Sequence, residues 1–216
     1  RAAPSRHAAG RPPIVAATSA RRWSKAPPII FQRVFSMTAS PPETVLRVED
    51  LKVHFPITSG VIVRRQVGSV KAVDGVSFAV GRGETLGLVG ESGCGKTTTG
   101  RAIMGLVAKS GGSVLFDGQD ITQLKGDGMR QVRRHMQYIF QDPYSSLNPV
   151  LTVGDIVAEP LRIHGLYDSL GGATWVAQLF EMVGLSTTMM QRYPQEFSGG
   201  QRQRIGIARA LALKPR

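Results

Sequence analysis

The sequence predicts an α/β fold with a largely parallel sheet, an antiparallel β subdomain and a helical subdomain, and three observations carry that prediction. Short apolar runs bounded by turn signals alternate with stretches of helical period. A glycine-rich segment, Gly90 to Gly95, lies directly between one such run and one such helix. The 216 residues, 42% of them hydrophobic, suffice for one domain with a sizeable core and a small subdomain. No apolar run approaches the roughly 18 to 20 residues that cross a bilayer. A single cysteine, Cys94, rules out an internal disulfide framework and a cysteine zinc cluster, and suits a reducing compartment.

The basic charge is unevenly placed. Residues 1 to 36 hold seven Arg or Lys and no acid, so they carry +7 of the net +12 and leave +5 for residues 37 to 216. Their Ala, Pro, Ser and Arg composition lacks a packing period, which predicts a disordered basic tail and leader over residues 1–44. Ile14 to Ala20 is too short for the apolar centre of a secretory signal, and the acid-free composition fits an organellar transit peptide better. Met37, followed by Thr38-Ala39-Ser40-Pro41-Pro42-Glu43, is the expected native start.

A folded domain is expected over 45–216. Val45 to Phe55 is β-rich and ends at Pro56, and a loop with Arg64-Arg65 follows. Val70 to Val80 is a second strand region, interrupted at Asp74-Gly75. Glu84 to Val89 is continuously apolar enough for a buried parallel strand. Thr97 to Ala108 is predicted helical, Gly112 to Asp120 extended, Met129 to Arg134 helical and Met136 to Phe140 a further buried strand. Residues 142–197 form the expected helical subdomain, with helices over Val153–Ile163, kinked at Pro160, and Thr174–Val183.

Gly90-Glu91-Ser92-Gly93-Cys94-Gly95-Lys96-Thr97-Thr98 carries the first chemistry. It fits G-x-x-x-x-G-K-[ST] in the strand–loop–helix context that this phosphate-binding loop requires. The glycines let backbone N–H groups converge on phosphate oxygens, and the helix start adds its positive end. Lys96 supplies a full charge at the outer phosphates, and Thr97 a hydroxyl for Mg²⁺. The pattern predicts a P-loop site for Mg²⁺ and a nucleoside triphosphate. Cys94, at the helix start, is a candidate for thiol alkylation that blocks ATP binding.

Two further stretches narrow the class. Gln141 follows the apolar run Tyr138-Ile139-Phe140, at the strand end where an open α/β sheet binds ligands. Ser198-Gly199-Gly200-Gln201 opens a helix whose expected buried stripe is Ile205, Ala208, Leu211 and Ala212. With Phe197 and Arg202-Gln203-Arg204, that stretch resembles the signature motif of ATP-binding cassette ATPases. The segments 140–149, 157–165 and 70–78 resemble the ATP-binding subunits of bacterial oligopeptide and dipeptide permeases.

The resemblance, from about Leu46 to Arg216, implies a peripheral, transport-coupled ATPase on the cytoplasmic face of the plasma (inner) membrane. It implies a second ATPase subunit, as homo- or heterodimer, transmembrane permease subunits and, indirectly, an extracytoplasmic solute-binding protein. ATP and Mg²⁺ are the implied cofactors, with Lys96 and Gln141 catalytic and Thr97 and Gln141 at the metal. Ser198, Gly199, Gly200 and Gln201 would grip the ATP of the partner subunit, and Phe55 would stack on adenine. In the family, an apolar strand ending in Asp-Glu follows the signature helix, and a histidine comes later. The sequence reaches Lys214-Pro215-Arg216 before such a strand, so the expectation is a C-terminally truncated chain that binds ATP without hydrolysing it efficiently. Two rival readings are a soluble cassette ATPase not tied to transport and a nucleic-acid-binding module through the basic tail. The resemblance favours no nucleic acid.

Overall fold

The computed structural model describes residues 30–34, 43–59 and 65–216. The expected start at Met37, most of the basic tail and the loop residue Arg64 lie outside them. Two sheets are present among the described residues, and every pairing in them is antiparallel. Strands β1 (Ile30–Val34) and β4 (Thr85–Val89) pair with Ile30 opposite Val89. Strands β2 (Thr44–Ser59), β3 (Arg65–Gly81), β5 (Gly111–Phe116) and β6 (Gln119–Asp120) make the second sheet, in the order β3-β2-β5-β6.

The α/β class and the antiparallel subdomain are therefore the architecture observed, with three corrections of detail. Five residues of the segment expected to be disordered form β1. Met136–Phe140 is irregular rather than a strand, and Ile139 and Phe140 are exposed, because no described strand lies alongside to pair its backbone. The only described partner of β4 is antiparallel, so the parallel pairing expected of it is not among the described pairings.

Pro56 does not end β2, which continues to Ser59. The His54 N–H donates to Ser110 Oγ (2.9 Å) on the β5 side. Alternation puts the nitrogen of Pro56 on that same side, beyond the last β2–β5 pair, Lys52 with Gly111. The missing N–H therefore costs no ladder bond.

The β core comes from a broken alternation. Val48, Leu51 and Val53 are all buried, and the register shift between Val48 and Leu51 re-aims the strand so that both point inward. Asp50 absorbs the shift in a left-handed conformation (φ 47°), and its N–H donates to Ser77 Oγ at 2.8 Å. Gly112, at φ 83°, lies so close that a Cβ would stand 2.4 Å from the Asp50 carbonyl oxygen. Val73, Val114, Phe116 and Ile121 complete this layer.

Helices α1 (Lys96–Ile103) and α2 (Gly126–His135) cover it with Ala102, Ile103, Met129 and Val132. α1 stops five residues before the expected Ala108. Gly105 takes φ 64°, and the Arg133 guanidinium donates to the Met104 and Gly105 carbonyls at 3.1 and 3.0 Å, satisfying orphan acceptors of the helix end. α2 is helical from Gly126 despite its glycines. Asp127 in its first turn and Arg133, Arg134 and His135 in its last complement the helix dipole.

Only helical elements occur between 142 and 197: α3 (Val153–Ile163), α4 (Gly172–Met182) and two short 3-10 turns. α3 runs three residues past Pro160. Its Val153, Ile156, Val157 and Leu161 form one apolar face, packed on Val176, Leu179 and Phe180 of α4 and on Ile205 and Ala208 of α5 (Gly199–Leu211). Leu211 is exposed, contrary to the expected stripe, and Ala212 and Leu213 are buried beyond it. Thr152 caps α3 by accepting the Asp155 N–H at 3.2 Å. The Thr152 hydroxyl donates to the Asp155 carboxylate (2.8 Å), and Arg162 pairs with its other oxygen (2.9 Å).

Gly112 and Gly118 both have positive φ, but nothing lies within 4 Å of a Cβ at Gly118. Gly118→Ala is expected to cost about 1 kcal/mol of backbone strain. Gly112→Ala adds the collision with Asp50 and should lower the urea midpoint well beyond that. The Thr152 hydrogen bond first, then Arg162, holds the Asp155 carboxyl below its ordinary pKa. A lowered folded-state pKa gives stability that is present above the unfolded value, about 3.9, and lost as pH falls through the folded one. Asp155→Asn should therefore destabilise the protein at pH 7, and the gap to the natural chain should close in urea titrations below about pH 4.

Candidate nucleotide site

The glycine-rich loop leaves the end of β4 and enters α1, seated against β3. Gly95 occupies φ 99° as the residue before α1, and a Cβ there would lie 2.2 Å from the Ala72 carbonyl oxygen. Only glycine permits that approach. Gly93 is also left-handed (φ 85°), but the space beside it is open. Between them Cys94 is buried, which shields its thiol from the alkylation expected of it. Gly90, Glu91 and Ser92 form the approach to this turn.

α1 begins without a side-chain cap. Its first backbone bond is from Thr99 N–H to Gly95 O (2.8 Å), and the Thr99 hydroxyl donates to the same oxygen (2.9 Å). The N–H groups of Lys96, Thr97 and Thr98 thus have no partner within the helix. Lys96 Nζ curls over the loop and donates to Gly90 O and Glu91 O, both at 2.7 Å, and lies 3.4 Å from Cys94 Sγ. No carboxylate pairs with this ammonium among the described residues. The Thr97 hydroxyl is exposed and makes no hydrogen bond among them. Open N–H groups, a cation without a counter-charge and a free hydroxyl fit a phosphate chain with Mg²⁺.

α5 starts differently. Ser198 Oγ accepts the Gln201 N–H (3.3 Å), while Gln201 Oε1 accepts the Ser198 N–H (3.0 Å), a reciprocal capping box. Gly199 and Gly200 keep their N–H groups at the helix end, and a Cβ on Gly200 would meet nothing within 4 Å. The helix start is thus held by its own side chains, lies against the Tyr144 ring at Gly199 and is open at Gly200.

Residues 73–216 match the family described as ABC transporter. The chain belongs to the ABC transporter family. It is 52% identical over 180 residues to the oligopeptide transport ATP-binding protein AppF of Bacillus subtilis, covering 83% of this chain and 54% of AppF. It is 54% identical over 174 residues to the glutathione import ATP-binding protein GsiA of Escherichia coli K12, covering 81% of this chain and 28% of GsiA. The chain therefore spans about half the length of AppF and a smaller share of GsiA. Among solved structures, it is similar to the dimeric, post-hydrolysis state of the ATP-binding cassette MJ0796 bound to ADP and Pi. The TM-score is 0.65 at 26% identity, over 79% of this chain and 70% of that one.

Two further candidate residues of this ABC transporter chain belong to other segments. Gln141 is exposed in the irregular segment after α2, and no hydrogen bond joins it to Lys96 or Thr97 among the described residues. Phe55 is exposed on β2 opposite Val70, two residues along β3 from the Ala72 carbonyl that abuts Gly95. It is thus a surface aromatic on the sheet that seats the loop.

Sequence reasoning missed the side chains that bind residues 142–147 to α5. Asp142 Oδ1 accepts the Tyr144 N–H at 2.8 Å. That bond first, with help from Ser145, keeps the Asp142 carboxyl below its ordinary pKa. The Arg202 guanidinium lies 4.2 Å from the centre of the Tyr144 ring, and Arg209 donates to Ser146 O at 2.7 Å. The seven-residue spacing of Arg202 and Arg209 on one helix was the available signal.

Gly95→Ala is expected to push the loop off β3 and to weaken binding of a fluorescent ATP analogue by at least about tenfold, the scale of one displaced charge-assisted contact. Far-ultraviolet circular dichroism of the same sample should remain near that of the natural chain.

Proposed function

We propose that this chain is the ATP-binding subunit of an importer that couples ATP binding and hydrolysis to uptake of a peptide or related solute. The observation that carries the reading is the uncapped start of α1 beneath an ammonium with no carboxylate partner among the described residues. The similarity to AppF and GsiA, an oligopeptide transport and a glutathione import protein, supports the solute class.

In this reading residues 90–98 wrap the phosphates of ATP and Phe55 stacks on the adenine. Lys96 leaves the Gly90 and Glu91 carbonyls to meet the outer phosphates. Mg²⁺, when bound, neutralises phosphate charge and helps orient the γ-phosphate for attack. Thr97 and Gln141 would hold it, with Gln141 also orienting the attacking water. Ser198, Gly199, Gly200 and Gln201 would grip the ATP of a second ATPase subunit, and the dimeric MJ0796 cassettes support such pairing. The subunit would dock peripherally on transmembrane permease subunits at the cytoplasmic face of the inner membrane, served from outside by a solute-binding protein. None of the described helices is long and apolar enough to cross a membrane.

Equilibrium titration with a fluorescent ATP analogue should show saturable binding that Lys96→Ala weakens by about tenfold or more. Equal affinity in the variant would refute the site.

A further inference from the structure

The last two turns of α2 carry more positive charge than their surroundings answer. Arg130 and Arg134 stand one turn apart on the same face of the helix. Arg130 Nη2 donates to Ile163 O, one of the last carbonyls of α3. Arg133, between them in sequence, is already engaged at the Met104 and Gly105 carbonyls. The Arg134 Nε–H is buried and meets no acceptor among the described residues. His164 closes α3, its N–H donating to Pro160 O at 3.1 Å, and its side chain is half-buried. Burial first, then the charges of Arg130 and Arg134, hold its imidazole below the ordinary histidine pKa. No carboxylate pairs with any of the three among the described residues.

The helix ends do not account for this cluster. The C-terminal end of a helix offers about half a negative charge, so α2 and α3 together offset about one of the two guanidinium charges. Arg130 answers one carbonyl of α3, and Arg134 answers none among the described residues. A buried guanidinium N–H without an acceptor costs stability until something takes the bond. The partner that fits is an anion with several oxygens.

We infer that Arg130, Arg134 and His164 form a binding site for a phosphate group, built on α2 and α3 rather than on the glycine-rich loop. The inference goes beyond the ATP-binding reading and does not depend on it. A phosphate presents paired oxygens to a guanidinium fork and supplies the negative charge that the helix ends leave short. Arg134 turns to offer its Nε–H, a movement that its flexible stem allows. A bound anion favours the imidazolium of His164, so the ring takes up a proton more readily and adds a third donor. Inorganic phosphate and the headgroup of an anionic lipid share this chemistry. Ile163, 54% exposed beside Arg130 and His164, is an apolar neighbour that suits the lipid source.

The test has two arms, both on the full chain. In the first, the imidazole NMR signal of His164, identified by its loss in His164→Gln, is titrated with pH with and without inorganic phosphate. Phosphate is expected to move that titration to higher pH. The phosphate concentration giving half the effect should rise about tenfold in Arg134→Gln, the scale of one charge-assisted contact. An effect on His164 that disappears in Lys96→Ala belongs to the glycine-rich loop and overturns the inference. In the second arm, the chain is sedimented with phosphatidylglycerol vesicles, and phosphatidylcholine vesicles serve as the control. Residues 1–36 are common to every variant, so only differences between variants are read. Arg134→Gln should weaken binding severalfold more than Arg192→Gln, which removes the same charge from an exposed position outside the cluster. A response in the first arm alone names free phosphate as the source, and one in the second arm alone names the lipid. A natural chain whose His164 titration stays unmoved, together with equal vesicle binding by the two variants, overturns the site.

Discussion

The candidate site depends on one close approach, that of Gly95 to the carbonyl of Ala72. A Cβ would stand 2.2 Å from that oxygen, so the loop rests backbone to backbone on β3. The consequences run in both directions along the chain. Towards the N-terminus, the contact ties the loop to the long β2–β3 hairpin, whose Val53 and Val73 are opposite each other and buried. Towards the C-terminus, the left-handed turn at Gly95 launches α1, and its buried Ala102 and Ile103 pin the helix to the same core. The phosphate-facing end of α1 is therefore a product of β packing as much as of the loop's own residues.

Helix starts in this protein fall into two physical kinds. α3 and α5 each have one first-turn N–H accepted by a side chain, Thr152 and Ser198. α1, α2 and α4 have no side-chain cap, and α1 is the one whose preceding loop is bridged by the Lys96 ammonium. An uncapped helix start costs stability, about 1 kcal/mol for the missing cap. Such a start is useful where an anion supplies the bonds in its place. α5 combines both kinds, with its serine and glutamine tied to one another and Gly200 left bare.

Arginines, rather than apolar packing alone, join the irregular segments to the helices. Arg133 closes the end of α1, Arg202 covers Tyr144 and Arg209 holds Ser146. Each meets a backbone carbonyl or an aromatic face that a loop presents and that no neighbouring strand or helix satisfies. A planar, permanently charged donor suits that work, because its five N–H groups fan out in one plane to meet carbonyls while its face can lie on a ring.

The sequence by itself determined the loop, its strand and helix neighbours, the capped start at Ser198 and the helical character of 142–197. These depend on local chemistry: glycine where φ is positive, a serine three residues before its bonding partner, apolar side chains at helical spacing. Only the tertiary structure decided that β2 passes through Pro56, that Met136–Phe140 stays irregular and that Ile30–Val34 pairs with β4. Whether an extended run becomes a strand is settled by the neighbour that accepts its hydrogen bonds, and that neighbour is distant in sequence. The same holds for the Ala72 carbonyl beneath Gly95 and for Tyr144 beneath Arg202. A motif shows which residues share one chemistry, whereas the backbone that a glycine must clear, or the ring that an arginine covers, is chosen by the fold.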